Sequence, residues 1–451
     1  MTVKKKYEKP SLVSHVSGLM NKIGKSSILK FQQEIDSVPL AGLMEKYGSP
    51  LFVFSEKTLR ENYQKYLQAF QLRYPKVTPA WSYKTNYLKS ICAVLHSEGA
   101  LAEVVSEFEY EKARRAGMSG EQIIYNGPYK SADSLKKAMR EKALIFIDNF
   151  DELNLLTNLS RELTVKPRVG IRINLDSGIF PHWTRFGFNL ETGQAYEAIK
   201  RITSTKCFEF VGLHCHIGTF ILDPNAYRIE TEKLMAFASK IKIDFGIKIQ
   251  VLDLGGGFAS KNTLHSQYMS GESANPTFEQ YAEPICQQLL SKKEPDTEMP
   301  TLILESGRAI VDSAGFLLTS VVGTRRLPDG TRSIVIDAGV NLMYTTTWYK
   351  HDILPMADYG DFMESCTVYG PLCMNIDVIR PQMLLPVLKP GNKLIIKNVG
   401  AYCVTQWMQF IHMRPAVVLI DCDGRSHVIR EKETIDTVEE LERLPEHLMN
   451  S

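Results

Sequence analysis

The segment PAWSYKTNYLKSICAVLHSEGALAEVV, residues 79–105, decides the fold. It begins with a short apolar run, continues through a stretch with apolar residues at helical spacing, and ends in a second apolar run. The order of strand, helix and strand is typical of a βα repeat, in which a helix connects two parallel strands.

The same alternation continues along most of the chain. Buried parallel strands are expected to read as continuous apolar runs, and eight such runs are separated here by amphipathic stretches. Eight βα units within about 230 residues favour closure into a (β/α)8 barrel over an open, doubly wound sheet. The eight runs are PAWSYK, LAEVV, IIYN, LIFID, VGIRI, GLHCHI, VLDLGG and LILES.

The pattern changes after Arg308. The segment FLLTSVVGTRRLPDGTRSIVIDAG, residues 316–339, predicts a hairpin with PDG at its turn, and the β-rich runs that follow lack helical periodicity. We therefore predict a barrel over residues 48–309 and a mostly antiparallel C-terminal β-domain over 310–451. Residues 1–47 are interpreted as an N-terminal extension that is partly disordered or packed on the β-domain.

Composition excludes several classes of protein. The chain has 451 residues with 53 basic and 51 acidic side chains, a net charge of +2, which argues against a nucleic-acid binder. It contains no apolar run long enough to span a bilayer. Its eight cysteines are scattered without zinc-ligand spacing, which indicates reduced thiols in a cytoplasm and no metal site.

Unusual polar residues and glycines stand at the ends of the predicted barrel strands, where barrel enzymes carry their active sites. They are Lys84, Asn126, Gly127, His214, His216, Gly255, Gly256, Gly257, Glu305 and Arg308. Glycine N–H groups with an arginine suit a phosphate, and a lysine whose pKa is lowered in a cleft can form a Schiff base. A carboxylate for a pyridine nitrogen and a histidine against the ring complete a site for pyridoxal phosphate.

Ten motifs occur in an order that resembles the fold-type III pyridoxal-phosphate decarboxylases, the family of diaminopimelate and ornithine decarboxylases. The resemblance covers nearly the whole chain after residue 48, and its motifs are YKTN, EVVSEFE, NGPYKS, TRFGF, HCHIGT, DLGGGF, ESGR, DAG, YGPLC and GAY. It implies Lys84 as the Schiff-base lysine, His216 stacked on the cofactor and Glu305 at the pyridine nitrogen. It also implies cofactor contacts from Thr219, Gly255, Gly256, Gly257, Gly307, Arg308 and Tyr402.

The resemblance further implies a head-to-tail homodimer with active sites shared between subunits. Cys373 of YGPLC would enter the neighbouring site and protonate Cα after carbon dioxide has left. Asp377 would pair across the dimer with Arg185 of TRFGF. A buried structural thiol is the alternative for Cys373, and a metal role lacks companion ligands.

The substrate pocket departs from the family pattern. Met374 occupies the position at which the ornithine and diaminopimelate enzymes carry an acid for the distal ammonium of the substrate. An ammonium group without its acid in a desolvated pocket costs on the order of a few kcal/mol. Thr345 replaces the arginine of diaminopimelate enzymes, whereas Asp337 is retained, so we predict a pocket formed by Asp337, Thr345, Tyr349 and Met374.

We therefore predict a decarboxylase that removes the α-carboxyl group of an amino acid with a bulky, conjugated or carrier-bound side chain. Diaminopimelate, ornithine or lysine decarboxylation is the alternative. An amino-acid racemase and a non-catalytic pyridoxal-phosphate-binding protein are further alternatives. Glu305 and Cys373 favour the decarboxylase over the racemase, and the predicted β-domain argues against a single-barrel carrier.

Overall fold

The computed structural model describes residues 31–291 and 298–449, so most of the predicted N-terminal extension lies outside the described residues. The described chain begins with β1 (Glu34–Ile35), β2 (Val38–Pro39), α1 (Leu40–Tyr47), β3 (Leu51–Ser55) and α2 (Glu56–Gln71). Helix α1 buries Leu40, Leu43 and Met44 against strands of the second sheet. The segment from residue 31 to 47 therefore packs on the β-domain.

Eight parallel strands close into a barrel, because the fifth and sixth barrel strands pair with each other and complete the ring. All eight predicted runs form these strands. A two-residue strand, β9, pairs with the end of β8. The strands in chain order are β4 (Val77–Ser82), β5 (Leu101–Val104), β6 (Ile123–Tyr125), β7 (Leu144–Ile147), β8 (Arg168–Asn174), β9 (Phe188–Asn189), β10 (Glu209–Cys215), β11 (Val251–Asp253) and β12 (Thr301–Leu304).

Two apolar layers hold the barrel together. Ala80, Ile124, Phe146, Val211 and Ile303 belong to a buried cluster contributed by different barrel strands, which fills the interior. The helices cover the outside: α3 (Lys89–Ser97), α4 (Glu107–Arg115), α5 (Ala132–Arg140), α6 (Phe150–Leu163), α7 (Gln194–Thr205), α8 (Asn225–Phe245), α9 (Gly271–Ala274), α10 (Phe278–Ser291) and α11 (Arg308–Val311).

Local sequence explains where several helices begin. Ser55, Ser106, Ser131 and Asn149 each accept a hydrogen bond from a backbone N–H in the first turn of the helix that follows. Such caps satisfy donors that the helix leaves unpaired, and each contributes about 1 kcal/mol. Short capped helices then return the chain to the barrel, which brings every strand end to the same face.

The second sheet is mostly antiparallel, as predicted. The predicted hairpin forms between β13 (Gly315–Arg326) and β14 (Arg332–Ile336). Strand β3 lies in this sheet, although the sequence places it within the barrel range. The other elements are β15 (Ile353–Pro355), β16 (Met363–Tyr369), β17 (Val378–Pro386), β18 (Lys393–Lys397), β19 (Val417–Ile420), β20 (Ser426–Arg430) and α12 (Ile435–Glu439).

Segments of the β-domain reach the face of the barrel at which the strands end. The Tyr402 N–H donates to the Thr85 carbonyl at 2.9 Å, and Asn86 Nδ2 donates to the Gly400 carbonyl at 3.0 Å. Among the residues described, no helix is both long and apolar enough to cross a membrane.

Candidate active site

A cavity of about 780 Å³ opens where the barrel strands end, between the barrel and the β-domain. Most of the polar residues predicted from their strand-end positions meet there. The lining includes Lys84, Glu103, Asn126, Arg172, Arg185, His214, His216, Thr219, Glu305, Arg308, Trp348, Tyr349 and Tyr402.

Lys84 lies just after β4 and is held by a buried acid. Its Nζ donates to the two carboxylate oxygens of Glu103 at 2.8 and 3.1 Å, and Ser82 Oγ donates to the same carboxylate at 2.6 Å. Burial alone would lower the pKa of Lys84, but Glu103 and Glu305 outweigh burial and raise it. The predicted lowering of this pKa is therefore wrong for the chain alone, because the lysine is held as an ammonium ion.

Glu103 was missed as a site residue in the sequence. It is the next-to-last residue of β5 and lies within the motif EVVSEFE, so its position near the strand end is the signal that could have identified it. Only 1% of its surface is exposed. A buried acid of this kind needs a partner, and the nearest cation that the sequence offers is the neighbouring strand-end lysine, Lys84.

Glu305 follows β12 and is the ionised member of a buried cluster. Asn126 Nδ2 donates to Glu305 Oε1 at 2.5 Å, and His214 Nε2 lies 3.5 Å from the same oxygen. Burial would raise the pKa of Glu305, but His214 and Lys84 outweigh it and hold this pKa well below its usual range. Burial, together with the charge of Glu305, raises the pKa of Asp253, which disfavours a second negative charge beside Glu305.

Two kinds of ligand could use this buried cluster. His214, Asp253 and Glu305 place donor atoms within 4.8 Å of one another, which is a spacing that a metal ion could use. A metal would need Asp253 to lose its proton against both burial and the charge of Glu305. A ring N–H donor needs only the ionised Glu305 carboxylate, so the electrostatics favour a protonated ring nitrogen.

His216 offers a neutral, flat ring to the cavity. Burial lowers its pKa to about 3, and the nearby charges of Arg172 and Lys84 act in the same direction. Its Nδ1 accepts a hydrogen bond from the Gly256 N–H at 3.1 Å. A Cβ at Gly255, where φ is +63°, would lie 2.7 Å from this Nδ1, so glycine at position 255 allows the ring to occupy this place.

Arg308 supplies positive charge on the other side of the cavity. Its Nη2 donates to Thr219 Oγ1 at 3.2 Å, and its Nη1 donates to the Tyr349 hydroxyl. The guanidinium carbon also lies 4.6 Å from the centre of the Tyr402 ring. Neither hydrogen-bond partner is anionic, so the charge of Arg308 is available to an anion from outside the chain.

These groups fit the parts of pyridoxal phosphate. The cavity presents an amine, an ionised carboxylate for a ring nitrogen, a flat neutral ring and a guanidinium group for the phosphate. Glycine at position 307 keeps the site in shape, because a Cβ there would lie 2.0 Å from Thr85 Oγ1 and displace the turn that carries Lys84.

The loop between β16 and β17 carries Cys373 away from this cavity. Cys373 is exposed, and the cavity lining includes neither Cys373 nor Met374. Met374 is half-buried and packs against the core. The loop therefore presents its thiol outward from its own protomer, which is compatible with the predicted role in a neighbouring subunit.

Asp377 does not have the environment predicted for a dimer contact. It is 2% exposed, and its two carboxylate oxygens accept backbone N–H groups of Val340 at 2.7 Å and Leu372 at 2.8 Å. A Cβ at Gly370 would lie 2.3 Å from Asp377 Oδ2. The carboxylate therefore shapes the cysteine loop from within its own chain, and its pairing with Arg185 of a partner subunit stays a prediction.

Two predicted pocket residues lie elsewhere. Thr345 is fully buried, and its Oγ1 is hydrogen bonded to His351 Nε2 at 2.9 Å, so it faces the core of the β-domain. Asp337 is absent from the cavity lining, because its carboxylate ties strands of the β-domain together. It accepts hydrogen bonds from Ser49 Oγ, Thr319 Oγ1 and the Ser320 N–H.

Replacing Asp377 with asparagine should lower the free energy of unfolding of the protomer by about 1–3 kcal/mol. The amide can accept only one of the two backbone hydrogen bonds and would turn its own N–H groups toward the other donor. Denaturant unfolding measures this change, and sedimentation measures self-association. If Asp377→Asn and Arg185→Gln instead weaken self-association equally without changing unfolding, the cross-dimer pairing is supported.

Comparisons with known proteins agree with the geometry. The pyridoxal-binding domain of the pyridoxal-dependent decarboxylases matches residues 57–312, and the C-terminal sheet domain of the same family matches residues 308–400. The diaminopimelate decarboxylase of Methanocaldococcus jannaschii is 32% identical over 432 residues, covering 92% of this chain and 96% of the relative. The Bacillus subtilis enzyme is 26% identical, covering 91% and 94%.

Solved structures show the same relationship. The crystal structure of diaminopimelate decarboxylase from M. jannaschii superimposes with a TM-score of 0.85 at 31% identity, covering 92% of this chain and 96% of that one. Fold and site thus define a pyridoxal-phosphate enzyme with a (β/α)8 barrel and a C-terminal sheet domain. The chain belongs to the pyridoxal-dependent decarboxylase family, and it is a carboxy-lyase that resembles diaminopimelate decarboxylase.

Proposed function

We propose that this enzyme removes the α-carboxyl group of an amino acid whose distal amine is absent or blocked. The observation that carries this proposal is the state of the acids at the cavity. Glu103 is engaged by Lys84 and Glu305 by Asn126, and the described lining contains no further carboxylate. A distal ammonium would therefore enter without an acid to receive it.

Four parts of the site would hold the cofactor. Lys84 would bind its aldehyde carbon, and Glu305 would accept the N–H of the ring nitrogen. His216 would lie against one face of the ring. The phosphate would be held by Thr219, Gly255, Gly256, Gly257, Gly307, Arg308 and Tyr402. When bound, pyridoxal phosphate supplies an electron-poor ring that accepts the electron pair of the breaking bond.

The three buried acids have different electrostatic roles. Because its pKa is lowered, Glu305 would keep a proton on the ring nitrogen of the bound cofactor and so preserve the electron-accepting character of the ring. Glu103 holds the charged form of Lys84 in place at the position from which its amine would bind the aldehyde carbon of the cofactor. The raised pKa of Asp253 disfavours a second negative charge beside Glu305.

Protonation of the product would come from a neighbouring subunit. When the bond between Cα and the carboxylate breaks, carbon dioxide leaves, the bonding electron pair stays on the Cα side, and Cα then needs one proton. The exposed Cys373 of the partner in a head-to-tail homodimer would donate that proton from its thiol. The balance is one amino acid and one proton giving one amine and one carbon dioxide.

Diaminopimelate decarboxylation is the second candidate. The similarity to the M. jannaschii enzyme favours it, since one solved structure of that enzyme is a complex with L-lysine, at 31% identity to this chain. Against it stand Met374 in place of the expected acid and the core position of Thr345. A change that affects only the residues around the distal end of the substrate would leave the fold and the cofactor site intact.

Acylated amino acids should be better substrates than their free-amine parents. We expect N5-acetylornithine and N6-acetyllysine to exceed ornithine and lysine in kcat/KM by about 10- to 100-fold, because the free ammonium loses its hydration without gaining an acid. Carbon dioxide release measures each rate. Efficient turnover of meso-diaminopimelate and none of the acylated amino acids would establish the second candidate instead.

A change at Met374 sharpens this experiment. Met374→Glu supplies the missing acid and should raise the use of ornithine and lysine, whereas Met374→Gln, of equal size and without charge, should not. If the two variants behave alike, the residue after Cys373 does not face the distal end of the substrate.

A further inference from the structure

We infer that the loop over residues 175–187, which follows β8, forms a binding site for a carboxylate at the distal end of the substrate, with Arg185 and Arg172 as its cations. The inference rests on the proposed function and makes it specific. The distal amine would be blocked by an acyl group that itself carries a negative charge, as in a dicarboxylic acid amide.

The two arginines are arranged around one aromatic ring. The guanidinium carbons of Arg172 and Arg185 lie 4.6 and 5.2 Å from the centre of the Phe186 ring. The neighbouring Trp183 meets His216 edge to face at 5.6 Å. All of these side chains line the cavity that holds Lys84. The loop thus extends the cavity beyond His216. Its side chains add positive charge and apolar surface to that part of the cavity.

Of these two arginines, Arg172 has a paired carboxylate among the described residues and Arg185 has none. Lys84 is paired with Glu103, and the charge of Arg308 is needed by the phosphate. Arg172 forms an ion pair with Asp148 at 3.8 Å. Arg185 forms no ion pair with any residue of the described ranges. Cations that lie together on a partly desolvated wall of a cavity favour the binding of an anion at that wall.

The acid that the sequence suggests for Arg185 is already engaged within its own chain. Asp377 is 2% exposed and both of its carboxylate oxygens accept backbone N–H groups of its own chain. Arg185 is itself exposed, so its fork of N–H donors can meet a carboxylate bidentately. The free guanidinium therefore faces the substrate cavity with no internal acid assigned to it.

The leaving carboxylate is the wrong ligand for these arginines. Ion pairing to the α-carboxylate would stabilise the ground state and be lost as neutral carbon dioxide forms, so it would raise the barrier. A carboxylate at the distal end keeps its charge throughout the reaction. Binding it lowers KM without changing the chemical step.

The test compares three ornithine derivatives that differ only at the acyl end. They are N5-succinylornithine, its terminal amide and N5-acetylornithine, each assayed for carbon dioxide release by the pyridoxal-phosphate-loaded enzyme. We expect the succinyl compound to exceed its amide by about tenfold or more in kcat/KM. Arg185→Gln should lower kcat/KM for the succinyl compound by about 10- to 100-fold, mainly through KM, and change the other two by less than about threefold.

Arg115→Gln is the matched control, because Arg115 is exposed on α4 and lies outside the cavity. It should leave all three rates unchanged. For compounds that bind without turnover, dissociation constants from the visible spectrum of the cofactor give the same comparison. Equal effects of Arg185→Gln on all three compounds would assign Arg185 to the α-carboxylate or to folding, and would overturn the inference.

The two proposals fail in different ways. If the wild-type enzyme has the same kcat/KM for the amide and the acetyl compound as for the succinyl compound, the proposed anion site is wrong. The proposed decarboxylation of a substrate with a blocked amine then stands. If it accepts only meso-diaminopimelate or free ornithine and lysine, the proposed function is wrong.

Discussion

Replacing Lys84 with alanine should yield a folded protein that no longer attaches pyridoxal phosphate covalently and whose kcat falls on the order of 10³-fold or more. Lys84 is the only lysine in the described cavity lining. The ionised Glu305, the neutral His216 and Arg308 would still hold the cofactor without a covalent bond. Borohydride reduction followed by peptide mass spectrometry locates the attachment, and carbon dioxide release measures activity.

Lys89→Ala is the matched control, since Lys89 is an exposed lysine five positions further along, at the start of α3. It should retain both the covalent label and the activity. Circular dichroism compares the folding of the two variants. A label that remains in Lys84→Ala on another lysine, with activity preserved, would show that the cofactor is bound elsewhere.

The barrel was predictable because its signal is local and repeated. Each strand is a short apolar run, and each βα unit repeats the same alternation, so eight agreeing signals identify a closed ring. The position of β3 was not predictable in this way. It pairs with β13 and with β19, whose residues Val417–Ile420 lie more than 350 positions away. The sequence of β3 alone, LFVFS, is equally suitable for a barrel strand or a sheet strand.

The cofactor side of the site was predictable from strand ends, and the substrate side was not. Parallel strands bring Lys84, His216 and Glu305 together whatever the details of the loops. Asp337, Thr345 and Asp377 were placed by motif position alone, which does not show the direction in which a side chain points. Asp377 turns inward to two backbone N–H groups, and Thr345 turns to His351. The ionisation state of Lys84 depends on its contact with Glu103, and the sequence does not show that contact.

Mixing two inactive variants should restore activity if Cys373 acts in a neighbouring subunit. Lys84→Ala lacks the cofactor lysine, and Cys373→Ala lacks the proton donor and should lose about 10²- to 10⁴-fold in kcat. A heterodimer of the two contains one site with both defects and one site with none. Random reassociation makes half of the dimers mixed, and each is half active, so about a quarter of wild-type activity should return.

The geometry of the protomer makes this experiment decisive. Cys373 is exposed and outside the cavity of its own chain, so a single chain holds Lys84 and Cys373 in separate places. If the thiol served its own protomer, every subunit in the mixture would carry a defect and no activity would return. Cys422→Ala, which removes the other exposed cysteine of the described residues, should be fully active alone. Turnover in deuterium oxide adds a second readout, because a donor fixed on one side of Cα labels one face, and its loss should scramble the label.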